Sequence, residues 1–414
     1  MTSERDVVIV GAGLAGLTCA LELERHGISP LIVEASDAVG GRVRTDRHDG
    51  FLLDRGFQVI LTAYPELSRY LDLSELDLRH FDSGALVWMN GKGHVVGDPF
   101  RSPTTLPATA LAPIGSPADK LRIAWLRHRA HRVEPRRLLR GQDISTAAAL
   151  RAFGFSNTMI DRFLRPLFGG IQLDPALATS RRMFDIIFRM LSDGTSAVPR
   201  TGMQELPETL ARKLPADTVR PNSPVERIDG TTVRLASGES LTARTVVVAT
   251  DGPAASRLLG MPEVRSRQVG CVYFAADEAP TNKKMVILDG TGKGPVLNVA
   301  VMSNVAPTYA PRNQHLIVAA LPGMVDGDIE SITRAQLRGW WGPRVDTWRH
   351  LETYRIHHGG PVQSPPFSPK QSVVVGEGRF VCGDHRDTGS IQGAMYSGRR
   401  TATAVLSALA VRTP

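Results

Sequence analysis

Asp6-Val7-Val8-Ile9-Val10, followed at once by Gly11-Ala12-Gly13-Leu14-Ala15-Gly16, is the stretch that decides the fold. The unbroken apolar run predicts a fully buried strand. The glycines then open a helical stretch, Leu17 to His26, which Gly27 closes as a C-cap. Pro30-Leu31-Ile32-Val33 is a second buried strand, and it ends in an acid, Glu34, 18 residues after Gly16. Each part has a mechanical reason. Gly11 permits the tight strand-to-helix turn, Gly13 lets a pyrophosphate approach the backbone, and Gly16 lets the helix pack closely on the sheet. The helix N-terminus offers N–H groups to phosphates, and Glu34 is placed to accept the ribose hydroxyls of an adenosine. Glycine-rich turns are common, but strand, glycines, helix, strand and acid stand here in order within 34 residues. The reading is a dinucleotide-binding α/β unit of Rossmann type. An acid at position 34 disfavours a 2′-phosphate without separating NAD from FAD.

The next segments separate them. Gly40-Gly41-Arg42 follows the second strand, with glycines that let backbone pass against a bulky ligand and an arginine that can pair with a phosphate. Then comes Asp54-Arg55-Gly56-Phe57-Gln58. Near the other end, two short strands (Ser372 to Val375, Arg379 to Cys382) lead into Gly383-Asp384-His385-Arg386-Asp387-Thr388-Gly389-Ser390-Ile391, and a small-residue helix runs on to about Ala410. With these three ordered matches the chain resembles the FAD-dependent amine oxidoreductase superfamily, which includes monoamine oxidases, protoporphyrinogen oxidases and phytoene desaturases. The resemblance implies FAD as cofactor and a glutathione-reductase-like Rossmann domain with a discontinuous α+β substrate domain. It implies cofactor contacts at Gly11, Gly13, Leu14, Ala15, Gly16, Glu34, Ala35, Gly41, Arg42, Gly56, Phe57, Gln58, Val225, Gly383, Asp384 and Ile391. Among these Asp384 bonds the ribityl chain, Ile391 sits near the flavin pyrimidine, and Val225 meets the adenine through its backbone.

The middle of the chain returns to the first domain. Val225 to Ile228, a turn at Asp229-Gly230, Val233 to Leu235, a turn at Ser237-Gly238, and Arg244 to Ala249 read as a β-meander followed by a buried parallel strand. The expected FAD-binding domain is therefore 1–75, 196–262 and 368–414, and the substrate domain 76–195 and 263–367. Pro361 to Pro369 is the most linker-like stretch.

Composition sets outer limits. The 414 residues are 42% apolar and 22% charged, which excludes a disordered polymer, a coiled coil and a disulfide-stapled miniprotein. No stretch approaches the length of a membrane span, and Met1 to Asp6 has no leader-like pattern. Cys19, Cys271 and Cys382 sit singly in apolar sequence, as buried cysteines of a reduced compartment do. The expectation is a cytoplasmic protein. The net charge is +8, and residues 120–140 alone carry eight cations against Glu134. A nucleic-acid binder would spread such charge over a face, so no nucleic-acid partner is expected. Leu121, Ala124, Trp125 and His128 recur at helical spacing, predicting a helix with an apolar stripe and a basic back. That is either a solvated face or a peripheral contact with anionic headgroups.

The chemistry is read mainly through the resemblance. Many amine oxidases of this superfamily carry a lysine in the strand after the Ala249-Thr250 return, where this chain has Gly270 or a neighbour; Lys283 and Lys284 read as turn residues. They often carry an aromatic one residue past the glycine of the closing motif, where this chain has Ser390. Phe163 to Ile171, with Arg165-Pro166 and Gly169-Gly170, resembles desaturase-like members, as do Met183 to Leu191 and Pro199-x-x-Gly202-Met203. These methionine- and phenylalanine-rich stretches are either core or the lining of an apolar tunnel. The leading expectation is an FAD-dependent oxidoreductase taking hydride from a C–H bond of a small lipophilic substrate. The alternatives are a flavin amine oxidase, and a redox-neutral flavin isomerase or non-catalytic FAD protein. Catalytic side chains are not assigned; Gln58 and Tyr354 are the candidates, with His357, His358 and His385 near them in sequence. No Cys/His spacing marks a metal site, and no GxSxG marks a hydrolase.

Overall fold

The computed structural model describes residues 5–132, 138–139 and 142–411. β1 (Arg5–Val10), α1 (Leu14–Glu24) and β2 (Leu31–Val33) follow one another as the glycine pattern requires. The helix starts at Leu14, three residues before the apolar pattern suggests, because Gly13 is already the extended residue that precedes it. It ends at Glu24, and the Gly27 N–H closes back on the Glu24 carbonyl at 3.0 Å.

Five parallel strands form the sheet in the spatial order Val219–Arg220, β2, β1, Ser240–Val248 and Arg379–Val381. β1 has a strand on each side, so Val7 to Val10 are all buried, and an uninterrupted apolar run is the sequence this position demands. The strand expected at Arg244 to Ala249 is longer, Ser240–Val248. Its first residues pair with Thr232–Leu235 in an antiparallel meander, and its last pair with β1. α1 lies against the C-terminal helix Ile391–Val411, and a Cβ on Gly398 would collide with the Ala15 carbonyl between them.

A second sheet of seven strands runs Arg349–Pro361, Ser266–Ala276, His315–Pro322, Asn298–Val301, Val286–Asp289, Gly84–Met89 and Lys92–Gly97. Alternation along Ser266–Ala276 divides its work. Val269, Cys271, Tyr273 and Ala275 join the core shared with the first sheet, whereas Val272, Phe274 and Ala276 face a cluster with Trp340, Trp341 and Trp348. The stretches around Phe168 and Phe184 are helical and pack on each other, ring centroids 4.5 Å apart, within a core that also takes Met183 and Ile187. These side chains are core rather than tunnel lining. Pro361 to Pro369 is no free linker, since Gln363 and Phe367 are buried within it.

The basic segment departs from its expected orientation. Its helix is Pro117–Arg132, and the remainder of 120–140 lies partly outside the described residues. Leu121, Trp125 and His128 face solvent, while Asp119, Leu126 and Ala130 face inward. Asp119 sets the rotation: its carboxylate accepts from the backbone N–H and hydroxyl of both Ser116 and Ser156, at 2.8–2.9 Å. Four hydrogen bonds to one carboxylate outweigh the burial of one leucine and one tryptophan edge. Among the described residues, no helix is long and apolar enough to cross a membrane.

Candidate cofactor and active site

The strand-to-helix turn is built from glycines for distinct reasons. Gly11 has φ of 106°, donates to the Val33 carbonyl at 2.8 Å, and lies where a Cβ would press on the Ala249 carbonyl. A Cβ on Gly16 would collide with the Gly11 carbonyl oxygen. Gly13 differs: its own conformation is ordinary, and a Cβ there would meet nothing within 4 Å. No side chain caps α1, and its first turn holds no acid, so the N–H groups at Leu14 and Ala15 open a helix end suited to an anion. Gly13 bridges to Gly40, and Gly41 follows directly against it.

Glu34 is buried at the end of β2 and clamped. Its carboxylate accepts from the Ala12 N–H at 2.7 Å, the Ser36 N–H at 2.9 Å and the Ser36 hydroxyl at 2.8 Å. Across from it, Ser223 N–H donates to the Glu34 carbonyl at 2.7 Å and Asn222 N–H to the Ser36 carbonyl at 2.9 Å. Ala35 and Val225 therefore flank the same corner, Val225 leading the strand Val225–Asp229.

Arg42 meets the closing motif. Its guanidinium donates to the Gly359 carbonyl at 2.9 Å and pairs with Asp384 at 2.8 Å. Burial pushes the Asp384 carboxyl up, but the charge and hydrogen bond of Arg42, with His385 and His358 nearby, hold it below its ordinary value. Gly383 N–H donates to Ser397 Oγ at 3.1 Å, which ties the motif to the helix opened by Ile391. His385 is buried with no hydrogen-bond partner on either ring nitrogen, and desolvation lowers its pKa to about 4 against the pull of Asp384. Ser390, where an aromatic would stand in many amine oxidases, accepts from the Gly393 N–H at 3.0 Å at the start of the helix.

Gly56, Phe57 and Gln58 lie between the two sheets. Gln58 donates its amide to the Arg42 and Arg55 carbonyls at 2.8 and 3.0 Å, so it holds the two motifs together. Phe57 N–H points at Cys271 Sγ at 3.3 Å, and a Cβ on Gly56 would touch Ile356. Tyr354 donates its hydroxyl to Asp46 at 2.7 Å, and burial together with that carboxylate raises its pKa. His358 bonds Ser266 Oγ at 2.7 Å, whereas His357 lines a polar cavity of about 590 Å³ with Arg265, Arg267 and Gln268.

Three supporting groups take hydrogen-bond partners that the fold, rather than the local sequence, brings to them. Asp54 accepts from Thr45 Oγ1 at 2.6 Å, Met203 N–H at 2.9 Å and the Tyr309 hydroxyl at 2.9 Å, while Tyr273 donates to its carbonyl at 2.8 Å. Gln363 accepts from Gly389 N–H and donates to the Asp387 carbonyl, both at 2.8 Å. Glu66 takes both arms of Arg399, at 2.8 and 2.9 Å.

The arrangement defines a class. A parallel sheet with an open glycine turn, a free helix end, a clamped acid after β2 and a second motif converging from the C-terminus is a dinucleotide-binding flavoprotein fold. Residues 14–406 match the family described as flavin containing amine oxidoreductase, and the chain belongs to it. FAD is the cofactor of that family. The open space at Gly13 and the unpartnered His385 beside Asp384 fit such a group.

Among relatives, the chain is 29% identical over 301 residues to phytoene dehydrogenase of Streptomyces griseus, covering 61% of this chain and 56% of that one. It is 24% identical over 266 residues to protoporphyrinogen oxidase 2 of Arabidopsis thaliana, covering 54% and 50%. With coproporphyrinogen III oxidase of Staphylococcus aureus (strain NCTC 8325 / PS 47) it shares 28% over 174 residues, covering 40% and 36%. The matches thus span between about a third and just over half of these relatives. Among solved structures, putrescine oxidase bound to putrescine superposes with a TM-score of 0.70 at 20% identity, covering 98% of this chain and all of that one. Reduced UDP-galactopyranose mutase superposes with a TM-score of 0.69 at 15% identity, covering 97% and 96%. At such identities these two share the fold.

Proposed function

We propose that the chain is an FAD-dependent oxidoreductase that removes hydride from a C–H bond of a small lipophilic substrate. Bound FAD supplies the hydride acceptor. The chain supplies orientation, a dry surface and fixed charge. Gln58 and the Arg42–Asp384 pair lock the segments around Gly56, and Phe57, Ile356 and Cys271 make that neighbourhood apolar. The N-terminus of the helix Ile391–Val411 places a partial positive charge at the closing motif, where negative charge on a reduced cofactor is stabilised.

The observation that carries this reading is the absence of amine-oxidase furniture at its expected places. The strand position for the lysine is Gly270 or a neighbour; the Cβ direction of Gly270 meets the Met324 carbonyl and Ile329 on the far side of the sheet, and its neighbours on the side of Phe57 are Val269 and Cys271, neither of them a lysine. Lys283 and Lys284 are exposed. The cage position is Ser390, already occupied in capping a helix. Relatives named for phytoene and protoporphyrinogen also align over 61% and 54% of the chain, whereas L-amino-acid oxidase of Crotalus adamanteus aligns over 19%. The test is anaerobic titration of the FAD-loaded protein with isoprenoid-like lipids and, separately, with primary amines and amino acids. Bleaching by the lipids alone is expected. Bleaching by amines alone would overturn the reading in favour of an amine oxidase, and a cofactor reduced by neither would favour redox-neutral or structural use.

A further inference from the structure

Among the described residues, seven large apolar side chains are strongly exposed, and five of them, Phe100, Leu106, Leu111, Leu121 and Trp125, fall within one short span of chain. The helix Leu106–Leu111 has no buried residue, and Leu111 is 84% exposed. Lys120 ties its end to the next helix, donating to the Ala110 and Ala112 carbonyls at 2.5 and 2.9 Å. On that helix, Pro117–Arg132, Leu121 and Trp125 stand one turn apart, 72% and 54% exposed, and His128, Arg129 and Arg132 continue the same outward stripe. A helix of a soluble domain ordinarily turns such a stripe inward. Here the hydrogen bonds of Asp119 hold it outward.

The charge around this face is mainly cationic. From Asp98 to Arg132 the cations are Arg101, Lys120, Arg122, Arg127, Arg129 and Arg132; Asp98 pairs with Arg101 and Arg127, the buried Asp119 lies 3.6 Å from Arg122, and Arg129 and Arg132 stand exposed on the outer side. The cations stand beside the apolar groups. Arg129 lies 5.7 Å from the Trp125 ring and 5.4 Å from the Phe153 ring, and Arg127 lies 4.7 Å from the Phe100 ring. Guanidinium groups resting on aromatic rings at the surface, with tryptophan beside exposed arginine, suit the layer between hydrocarbon and charged headgroups.

We propose that the face formed by residues 100–132 docks on the surface of an anionic lipid bilayer, with Leu111, Leu121 and Trp125 entering the headgroup–acyl boundary. A bilayer satisfies both features at once: it takes up scattered exposed apolar side chains, and its anionic headgroups answer the cations. The docking uses this surface alone and is independent of the substrate.

Flotation of the full chain with vesicles tests it, using phosphatidylcholine alone or with about a third phosphatidylglycerol. The unaltered chain is expected to float at least about tenfold better with the anionic vesicles, and to be released by high salt. Leu121→Ser with Trp125→Ser, and separately Arg129→Glu with Arg132→Glu, should each lower that binding about tenfold with the melting temperature unchanged, since all four side chains are exposed. Failure of the unaltered chain to bind, or wild-type binding by both variants, overturns the proposal. So does a chain that ignores vesicles but dimerises through these positions, which would show that the face covers a second copy.

Discussion

Asp54 joins three remote parts of the chain, through Met203, Tyr273 and Tyr309. Burial raises its pKa from 3.8 to about 6, against hydrogen bonds from Thr45, Met203 and Tyr309 that favour the charged form. The folded chain therefore holds this proton more tightly than the unfolded chain. The resulting stability is complete below about pH 4 and is lost as the pH rises through about 6. In Asp54→Asn, whose amide does not titrate, the corresponding decline disappears. The unfolding free energies of the two proteins, measured by urea unfolding across that window, should diverge by roughly 3 kcal/mol, and parallel pH dependences would contradict this. Arg42 supports a second buried acid. Arg42→Ala strands the Asp384 carboxylate, with an expected loss of about 2 kcal/mol in urea unfolding, near the low end because Arg42 is about a third exposed. Adding Asp384→Asn should restore most of it; no recovery would show that the pair is not what Arg42 contributes.

At the scale of elements, the contact between α1 and the helix Ile391–Val411 positions the nucleotide turn. A methyl group on Gly398 has nowhere to go, because the Ala15 carbonyl faces it directly. Gly398→Ala is expected to cost about 1–3 kcal/mol and to weaken FAD retention by shifting the first turn of α1. An unchanged melting temperature would mean that the helices have slack the structure does not show. The elements legible in sequence are those with a local cause. β1, α1 and β2 follow from an apolar run, three glycines and an acid, and the meander follows from its Asp229-Gly230 and Ser237-Gly238 turns. The helix Pro117–Arg132 shows the limit of that reading. Its period was visible, but its rotation depends on Ser156, remote in the chain, and no periodicity reports which face such an anchor turns inward.

Across the whole molecule, the first sheet draws strands from residues 5–33, 219–248 and 379–381, and the second from 84–97, 266–322 and 349–361. The chain thus crosses repeatedly between the two sheets, and Gly56 to Gln58 lie where they meet. The glycine turn of the first sheet is legible in sequence, because its close backbone approaches restrict residue type at Gly11 and Gly16 and its buried acid at Glu34 ends a strand. The substrate side of that junction is not. Gln363, Glu66 and Asp54 act through partners that only the fold brings near, and apolar walls accept many sequences.

If the turn at Gly13 cradles the cofactor, titration of FAD into the purified chain and into Gly13→Val shows it. The protein leaves open space at this position, so the valine chain should keep its circular dichroism and melting temperature while its side chain occupies the pyrophosphate's place. One FAD per chain is expected for the unaltered protein, and binding at least about tenfold weaker for the variant. A folded Gly13→Val chain that takes up FAD with unaltered affinity, or an unaltered chain that takes up none, would contradict it.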